Sequence, residues 1–271
     1  MSNTANVAFT QEWEASCQHE LQQTESNLRS TVRNKRTKDS NIAHFPQLGA
    51  GTPTIGKARH SQLKPMNLEH TDKSITLTDI YATEWIDSVD TLKTNIDYQG
   101  EYTTSIVATL NRGLDSLTID NGLANSTNEV SVSNTLNKAG IQALGKAMNQ
   151  AKVPMSDRSL VIGAEGLDDI LNDTTLTSRD FVEQSLLKTG KAENVLGFDI
   201  VYMEDETLLP EATTGRKVFA YWKNAVGLAM AQDLTIKVDR LPKEDMDQVM
   251  GKLSANAGLL IPGAVFWADI G

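Results

Sequence analysis

EYTTSIVATLNRGLDSLTID, Glu101–Asp120, is the stretch on which the fold turns. Tyr102, Ile106, Val107, Leu110, Leu114 and Leu117 stand at offsets 0, 4, 5, 8, 12 and 15. At 3.6 residues per turn these fall on one stripe, so the stretch reads as a long amphipathic helix. Asn111, Arg112, Asp115 and Ser116 fill much of the other face. Gly113 sits mid-helix, where it costs about 1 kcal/mol relative to Ala, so a neighbouring backbone is expected to come close there. Asp120-Asn121-Gly122 supplies a stop. Nothing in the stretch is chemically reactive, and the rest of the chain is expected to hang on it as on a spine.

Upstream, Phe9, Trp13, Cys17, Leu21, Leu28 and Val32 recur at roughly helical spacing across residues 8–32. That stripe is narrow, so such a helix needs a docking surface. Residues 33–45 carry a basic cluster without a clear period. Residues 46–74 hold three prolines, three glycines and few large apolar side chains, so they cannot pack a core of their own. The segment is either a functional or disordered loop or an extended two-stranded arm. Ile75–Thr78 alternates as a strand. Residues 79–97 mix Tyr81, Trp85, Ile86, Val89, Leu92 and Ile96 with acidic residues, and helix and strand both stay open there.

Downstream, a helix is expected over 134–151, ended by Val153-Pro154. Strands are expected at Arg158–Gly163, Phe198–Tyr202, Val218–Trp222, Gly227–Val238 and Val265–Ile270. Helices are expected at Ala164–Leu171, from Ser178 to Leu187, and at Asp245–Leu253. Irregular alternation of helices and strands gives an α+β fold.

The formal charge of −10 argues against general affinity for nucleic acid. It is unevenly spread. Arg29 to Lys73 holds nine Lys/Arg against three Asp/Glu, a balance of +6, and the remainder balances at −16. In a self-associating protein the basic segment of one copy can lie on the acidic body of the next; a solvated basic arm is the plain alternative. Cys17 is the sole cysteine, which excludes an intramolecular disulfide. The N-terminus has no secretory signal pattern, and no run approaches about 20 apolar residues, so no membrane span is expected.

No catalytic, cofactor-binding or metal site emerges. His19, His44, His60 and His70 lack metal-ligand spacing with each other and with Cys17. His19 is two residues from Cys17, where helical side chains diverge. Asp168-Asp169, Glu204-Asp205-Glu206 and Glu244-Asp245 with Asp247 are carboxylate clusters of the kind usually found solvated at turns. Gly49-Ala50-Gly51 precedes Thr-Pro rather than a helix, and Gly163-Ala-Glu-Gly166 places Glu165 where an anion would bind.

Four segments carry a resemblance: ALGKAMNQAKVP (143–154), RSLVIG (158–163), GKAENVLGFDIVYM (190–203) and AYWKNAVGLA (220–229). With a polar N-terminal helix, a basic arm and a long helix ahead of them, the chain resembles the major capsid proteins of tailed bacteriophages. Their Hong Kong 97-like fold is shared by encapsulins. The resemblance spans roughly residues 9–270 and rests mainly on the order of the parts.

It implies an N-terminal arm at 1–45 and an extended loop at 46–78 lying across a neighbouring subunit. A peripheral domain with the spine helix follows at 79–125, an axial domain at 126–230, and a return to the peripheral domain at 231–271. It implies a structural, non-enzymatic subunit without cofactor or metal. Such subunits form hexamers and pentamers of an icosahedral virion shell, assembled in the bacterial host cytoplasm around double-stranded DNA bound without sequence specificity. Scaffolding, portal and decoration proteins are the implied partners, and a scaffold-like N-terminal region is implied to be absent or already removed. Some relatives cross-link subunits by a Lys–Asn isopeptide bond; Lys57, Lys64 and Lys73 are the loop lysines here and Asn256 the late asparagine, with no geometry in the sequence to bring them together. An encapsulin shell, or a carboxylate-based metal-dependent enzyme, are the alternatives.

Overall fold

The computed structural model describes residues 23–38, 40–63, 65–87, 98–133, 135–173, 176, 194–204 and 216–270. Of the helix expected over 8–32, the part up to Gln22 lies outside these residues, as do the helix expected over 178–187 and the open positions 88–97; Gln23–Val32 is turn and bend rather than helix, its Asn27 and Leu28 N–H groups donating to the Asp115 carboxylate instead of to a helical ladder.

The described chain opens with β1 (Arg33–Arg36), β2 (Ile42–Leu48), β3 (His70–Thr76) and β4 (Thr78–Asp87). Next comes α1 (Tyr98–Thr118), whose end widens into a π turn over Ile119–Leu123. Then follow α2 (Lys138–Gln150), β5 (Arg158–Ile162) and α3 (Ala164–Asn172). The short β6 (Asn194–Val195), β7 (Phe198–Tyr202) and β8 (Arg216–Trp222) lead to the long β9 (Val226–Leu241) and β10 (Met246–Leu259). β11 (Val265–Ile270) closes the chain. A four-stranded sheet runs β1-β9-β10-β4, a five-stranded one β11-β8-β5-β7-β6, and β2 pairs with β3. The α+β expectation is met.

Two compact units share the chain. The first holds residues 23–25, 80–87, 98–112 and 234–253 among those described. Its core joins Ile86, Ile106, Leu110 and Val249, flanked by Ile80, Ala82, Tyr98, Tyr102, Leu234 and Ile236. This is the apolar stripe of the spine helix laid on a sheet. The sheet comes close through Gly251, where a Cβ would stand 2.4 Å from Ile106 Cγ2 and 2.7 Å from Leu110 Cδ1. Gly113, where a close backbone approach is expected, is half-buried.

Asp245–Leu253, expected as a helix, is strand from Met246 onward. Val249 and Leu253, four apart, satisfy a helical period. The period of two was masked because the intervening inward positions carry small residues: Val249, Gly251, Leu253, Ala255 and Ala257 are all buried, alternating with half-exposed neighbours.

In the second unit β5 is buried at every position, flanked by parallel β7 and antiparallel β8, with β11 antiparallel on β8. α2 is set by its cap: Asn137 Oδ1 accepts from Gly140 N at 3.0 Å. Asp169 and Asp173 then accept from the backbone N–H groups of Leu136 and Lys138 at 2.7 and 2.8 Å.

Asp115, assigned above to the polar back of the helix, is fully buried. Its carboxylate accepts from Ser26 Oγ at 2.6 Å, Asn27 N at 3.0 Å and Leu28 N at 3.3 Å. It therefore pins the turn that precedes β1. Beside it Tyr221, fully buried, bonds Thr31 Oγ1 at 2.5 Å. Burial pushes the Tyr221 hydroxyl pKa far up; hydrogen bonds to Thr31 and Ser159 oppose this weakly, and the Asp115 charge adds to it. Asp115→Ala strands several buried donors and should cost about 2–4 kcal/mol. Asp115→Asn, which keeps one acceptor oxygen, should recover part of that. Chemical unfolding of the three proteins checks it, and equal midpoints for Ala and wild type would remove the pinning role.

Candidate assembly surfaces

The described residues assemble no reactive site. His44 Nδ1 meets the Asp72 carboxylate across the β2–β3 pair, and both side chains are exposed. His60 lies in the loop with φ 63° and His70 begins β3, so the histidines are strung along the arm. Among the described residues no group of three or more His, Cys, Asp or Glu is placed to hold a metal ion. Cys17, His19, Lys64, Asp205 and Glu206 lie outside those residues.

The carboxylate clusters have local work. Asp169 caps α2, Asp168 accepts from Asn172 Nδ2 at 2.9 Å, and Asp245 pairs with Arg240 at 2.5 Å across the β9–β10 turn. Asn256 accepts from Asn121 Nδ2 at 2.9 Å and donates to Thr76 O at 2.7 Å. Its amide thus ties the π turn to the foot of β3 within one chain. Lys57 and Lys73 are exposed.

The basic segment divides into cations with partners inside the chain and cations without one among the described contacts. Arg29 and Arg36 both reach Asp233 Oδ2 at 2.9 Å. Arg33 and Lys35 lie over the Phe45 ring at 5.7 and 5.4 Å. The segment therefore takes up part of its own charge, which corrects the picture of the whole +6 stretch as an offer to a neighbour. Its ordered start also departs from the patternless reading, because β1 pairs in parallel with Gly227–Met230 of β9.

The arm has a buried foot and a bare tip. β2 and β3 pair antiparallel from Ile42↔Thr76 to Leu48↔His70. At the foot Ala43, Phe45, Ile75 and Leu77 join Ala229 and Leu260 in one buried cluster. Gly227 and Gly258 make room for it: a Cβ there would stand 3.1 Å from Phe45 Cζ and 2.9 Å from Ile75 Cγ1. Beyond Gly49, whose N–H donates to Glu69 O, the described residues form no helix or strand until His70. Ile55, Leu63 and Met66 are 88%, 71% and 56% exposed. Exposed apolar side chains in such number mark an interaction surface.

A second uncovered region lies at the end of α2. Arg158 is buried and holds the connection into β5 by donating to Pro154 O, Val153 O and Asn149 Oδ1, each at 2.7 Å. Burial lowers its pKa from the usual arginine value. The loops beside it are fixed by left-handed Lys152, Asp157 and Leu196 with Gly197. They frame an open groove of about 550 Å³ lined by Ile141, Gly145, Met155, Leu196 and Phe198 among others. Met155 and Leu196 stand exposed at its rim.

No curated protein sequence matches the chain. A family model described as phage capsid protein matches residues 5–267. Among solved structures, the capsid of Cyanophage P-SCSP1u shares the fold with a TM-score of 0.75 at 14% identity, covering 97% of this chain and 93% of that one. A Mycobacterium phage Che8 structure superposes with a TM-score of 0.73 at 19% identity, covering 97% and 98%. The capsid of a native GTA particle gives 0.73 at 10% identity, covering 99% and 97%. No helix among the described residues is long and apolar enough to cross a membrane. With a family match over nearly its full length and capsid chains sharing its fold from end to end, this chain belongs to the phage capsid protein family, a structural subunit of a bacteriophage head shell.

Proposed function

We propose that copies of this chain close into an icosahedral head shell through hexamers and pentamers, enclosing double-stranded DNA without reading its sequence. The single observation that carries the reading is the arm: a two-stranded element with its foot in the core and a tip of exposed apolar and basic residues. A tip of that composition has no stabilising role in its own chain and gains its energy only on another surface. In the proposed layout residues 1–45 are an N-terminal arm, 46–78 the extended loop over a neighbour, and 79–125 with 231–271 the peripheral domain. Residues 126–230 are the axial domain, its groove and rim facing the capsomer axis. The subunit acts without catalysis; its work is geometric, each heterologous contact closing into a ring. Scaffolding, portal and decoration proteins would meet the shell in the cytoplasm of the bacterial host.

Electron microscopy of the purified full-length chain tests this. Closed shells or five- and six-membered rings are expected. A compact monomer at every protein and salt concentration would sink it.

A further inference from the structure

Asn121-Gly122 is the one Asn-Gly pair in the chain, and it lies in the π turn that ends α1. Such a pair is self-reactive. The backbone nitrogen after an asparagine can attack the side-chain amide carbon, and glycine, having no Cβ, leaves that nitrogen least shielded and its dihedrals freest. The new bond joins Gly122 N to Asn121 Cγ. The Cγ–Nδ2 bond breaks, and Nδ2 leaves as ammonia, taking the proton that Gly122 N gives up. Water then opens the resulting succinimide ring at either carbonyl and leaves aspartate or isoaspartate at position 121. The net change turns an amide and water into a carboxylic acid and ammonia, with no oxidant, metal or enzyme.

The fold restrains both partners of this reaction. Asn121 Nδ2 donates to Asn256 Oδ1 at 2.9 Å. Gly122 is buried, and a Cβ there would stand 2.8 Å from Val226 Cγ1, so the backbone is packed tightly against the start of β9. Neither the amide nor the backbone turns toward the other until the π turn opens.

The bond that restrains Asn121 also anchors the arm. Asn256 Oδ1 takes a second donor, Ala257 N, at 2.8 Å. Asn256 Nδ2 donates to Thr76 O at 2.7 Å, at the end of β3. The amide is therefore fully oriented, its acceptor toward Asn121 and its donor toward the arm. A carboxylate at position 121 would set two acceptors against one another across that 2.9 Å contact. Were Asn256 to turn its amide and donate to the new carboxylate, it would give up both Thr76 and Ala257.

We propose that Asn121-Gly122 is a self-modification site, sealed in the folded chain and open in the unfolded one, whose irreversible conversion unfastens the foot of the arm from the π turn. The pair records time spent unfolded. A chain that folds promptly keeps its arm anchored through Asn256, and one that lingers does not.

Peptide mapping of the full-length chain by mass spectrometry tests the chemistry. In denaturant at mildly alkaline pH, conversion at position 121 should outrun that at every other asparagine at least about tenfold, and Gly122→Ala, in a state where folding is not at issue, should slow it by a similar factor. In native buffer at the same pH the parent should convert at least about tenfold more slowly than in denaturant, because the reaction waits on local opening. Equal rates in the folded and unfolded chain, or conversion no faster than at the other asparagines, overturn the sealed site.

Hydrogen exchange of the β2–β3 backbone tests the consequence. Asn121→Asp should speed exchange across Ile42–Leu48 and His70–Thr76 at least about fivefold over the parent. Asn121→Ala, which removes the donor without adding a charge, should fall between the two, since Ala257 N still satisfies Asn256 Oδ1. Asn121→Asp exchanging at the parent's rate overturns the link to the arm. Parent chains aged in denaturant and returned to buffer cover the case of an Asn121→Asp chain that does not fold. Converted molecules should be depleted at least about threefold from the refolded fraction, or exchange faster at the arm within it. Converted molecules that refold in full and exchange as the parent does overturn the proposal.

Discussion

Gly251→Val should melt the first unit at a markedly lower temperature than the parent. The position is inward on β10 and buried, with Ile106 Cγ2 and Leu110 Cδ1 inside the volume that any side chain would need. Leu110 Cδ1 is the end of a flexible chain and can turn away. Ile106 Cγ2 is attached to a β-branched carbon held in a helix, where its χ1 has essentially one choice, so the helix itself has to move off the sheet. Overpacking of this kind costs about 1–3 kcal/mol and sometimes more, and valine at a site where even a methyl does not fit belongs at the upper end. For a chain of this size about 3 kcal/mol corresponds to roughly 6–12 °C in Tm. Thermal unfolding by circular dichroism reads it. Adding Ile106→Ala to Gly251→Val should return part of the loss, which identifies the clash as the cause. A variant that melts with the parent would mean that helix and strand do not meet at this glycine.

Removing the bare tip of the arm, residues 51–67, and joining its ends with a short Gly-Ser turn should abolish shells and leave a folded, soluble subunit. The boundaries follow from the foot. Phe45 and Ile75 are buried in the core cluster, and Gly49 closes the hairpin against Glu69, so these residues stay. Within the tip, by contrast, Ile55, Leu63 and Met66 are exposed, and removing exposed apolar side chains costs the isolated subunit little. Sedimentation gives the assembly state and circular dichroism the fold. Shells of normal yield from the shortened chain would remove the arm from the assembly mechanism. A shortened chain that fails to fold would show that the tip belongs to the core.

Much of this architecture is written in simple periods. α1 shows an apolar stripe, β5 a short wholly apolar run, β7 and β8 β-rich runs beside turn residues, and the structure has each where it was expected. The arm was legible by what it lacks, since prolines and glycines without large apolar residues cannot make a core. β10 was hidden because Gly251, Ala255 and Ala257 fill inward positions without raising the apolar signal. Asp115 was hidden for a different reason. Its burial is stabilised by donors at Ser26, Asn27 and Leu28, almost ninety residues away in the chain, and no local pattern announces such a partner. β4 escaped because aromatic, aliphatic and acidic residues at 79–97 fit either period, and only the structure separates the inward Ile80, Ala82 and Ile86 from the exposed Tyr81, Thr83 and Trp85.

The π turn after α1 bears on how the length of this chain can change. Ala124 N–H reaches back five residues to Ile119 O at 2.8 Å, so one turn carries one residue more than an α-helix holds. The surplus is absorbed locally. Asp115 on one side keeps its grip on Ser26, and Asn121 and Gly122 keep theirs on Asn256 and beside Val226. A residue gained or lost inside α1 itself would rotate one set of these contacts against the other by about 100°. At Ile119–Leu123 the same change only converts a wide turn into a narrow one. A single residue lost from the long helix is therefore absorbed most readily here: Asp115 keeps its phase, only the turn's own contacts through Asn121 and Gly122 readjust, and Asp120, exposed on the outside of the turn, gives up a 3.2 Å bond from Ser116 Oγ.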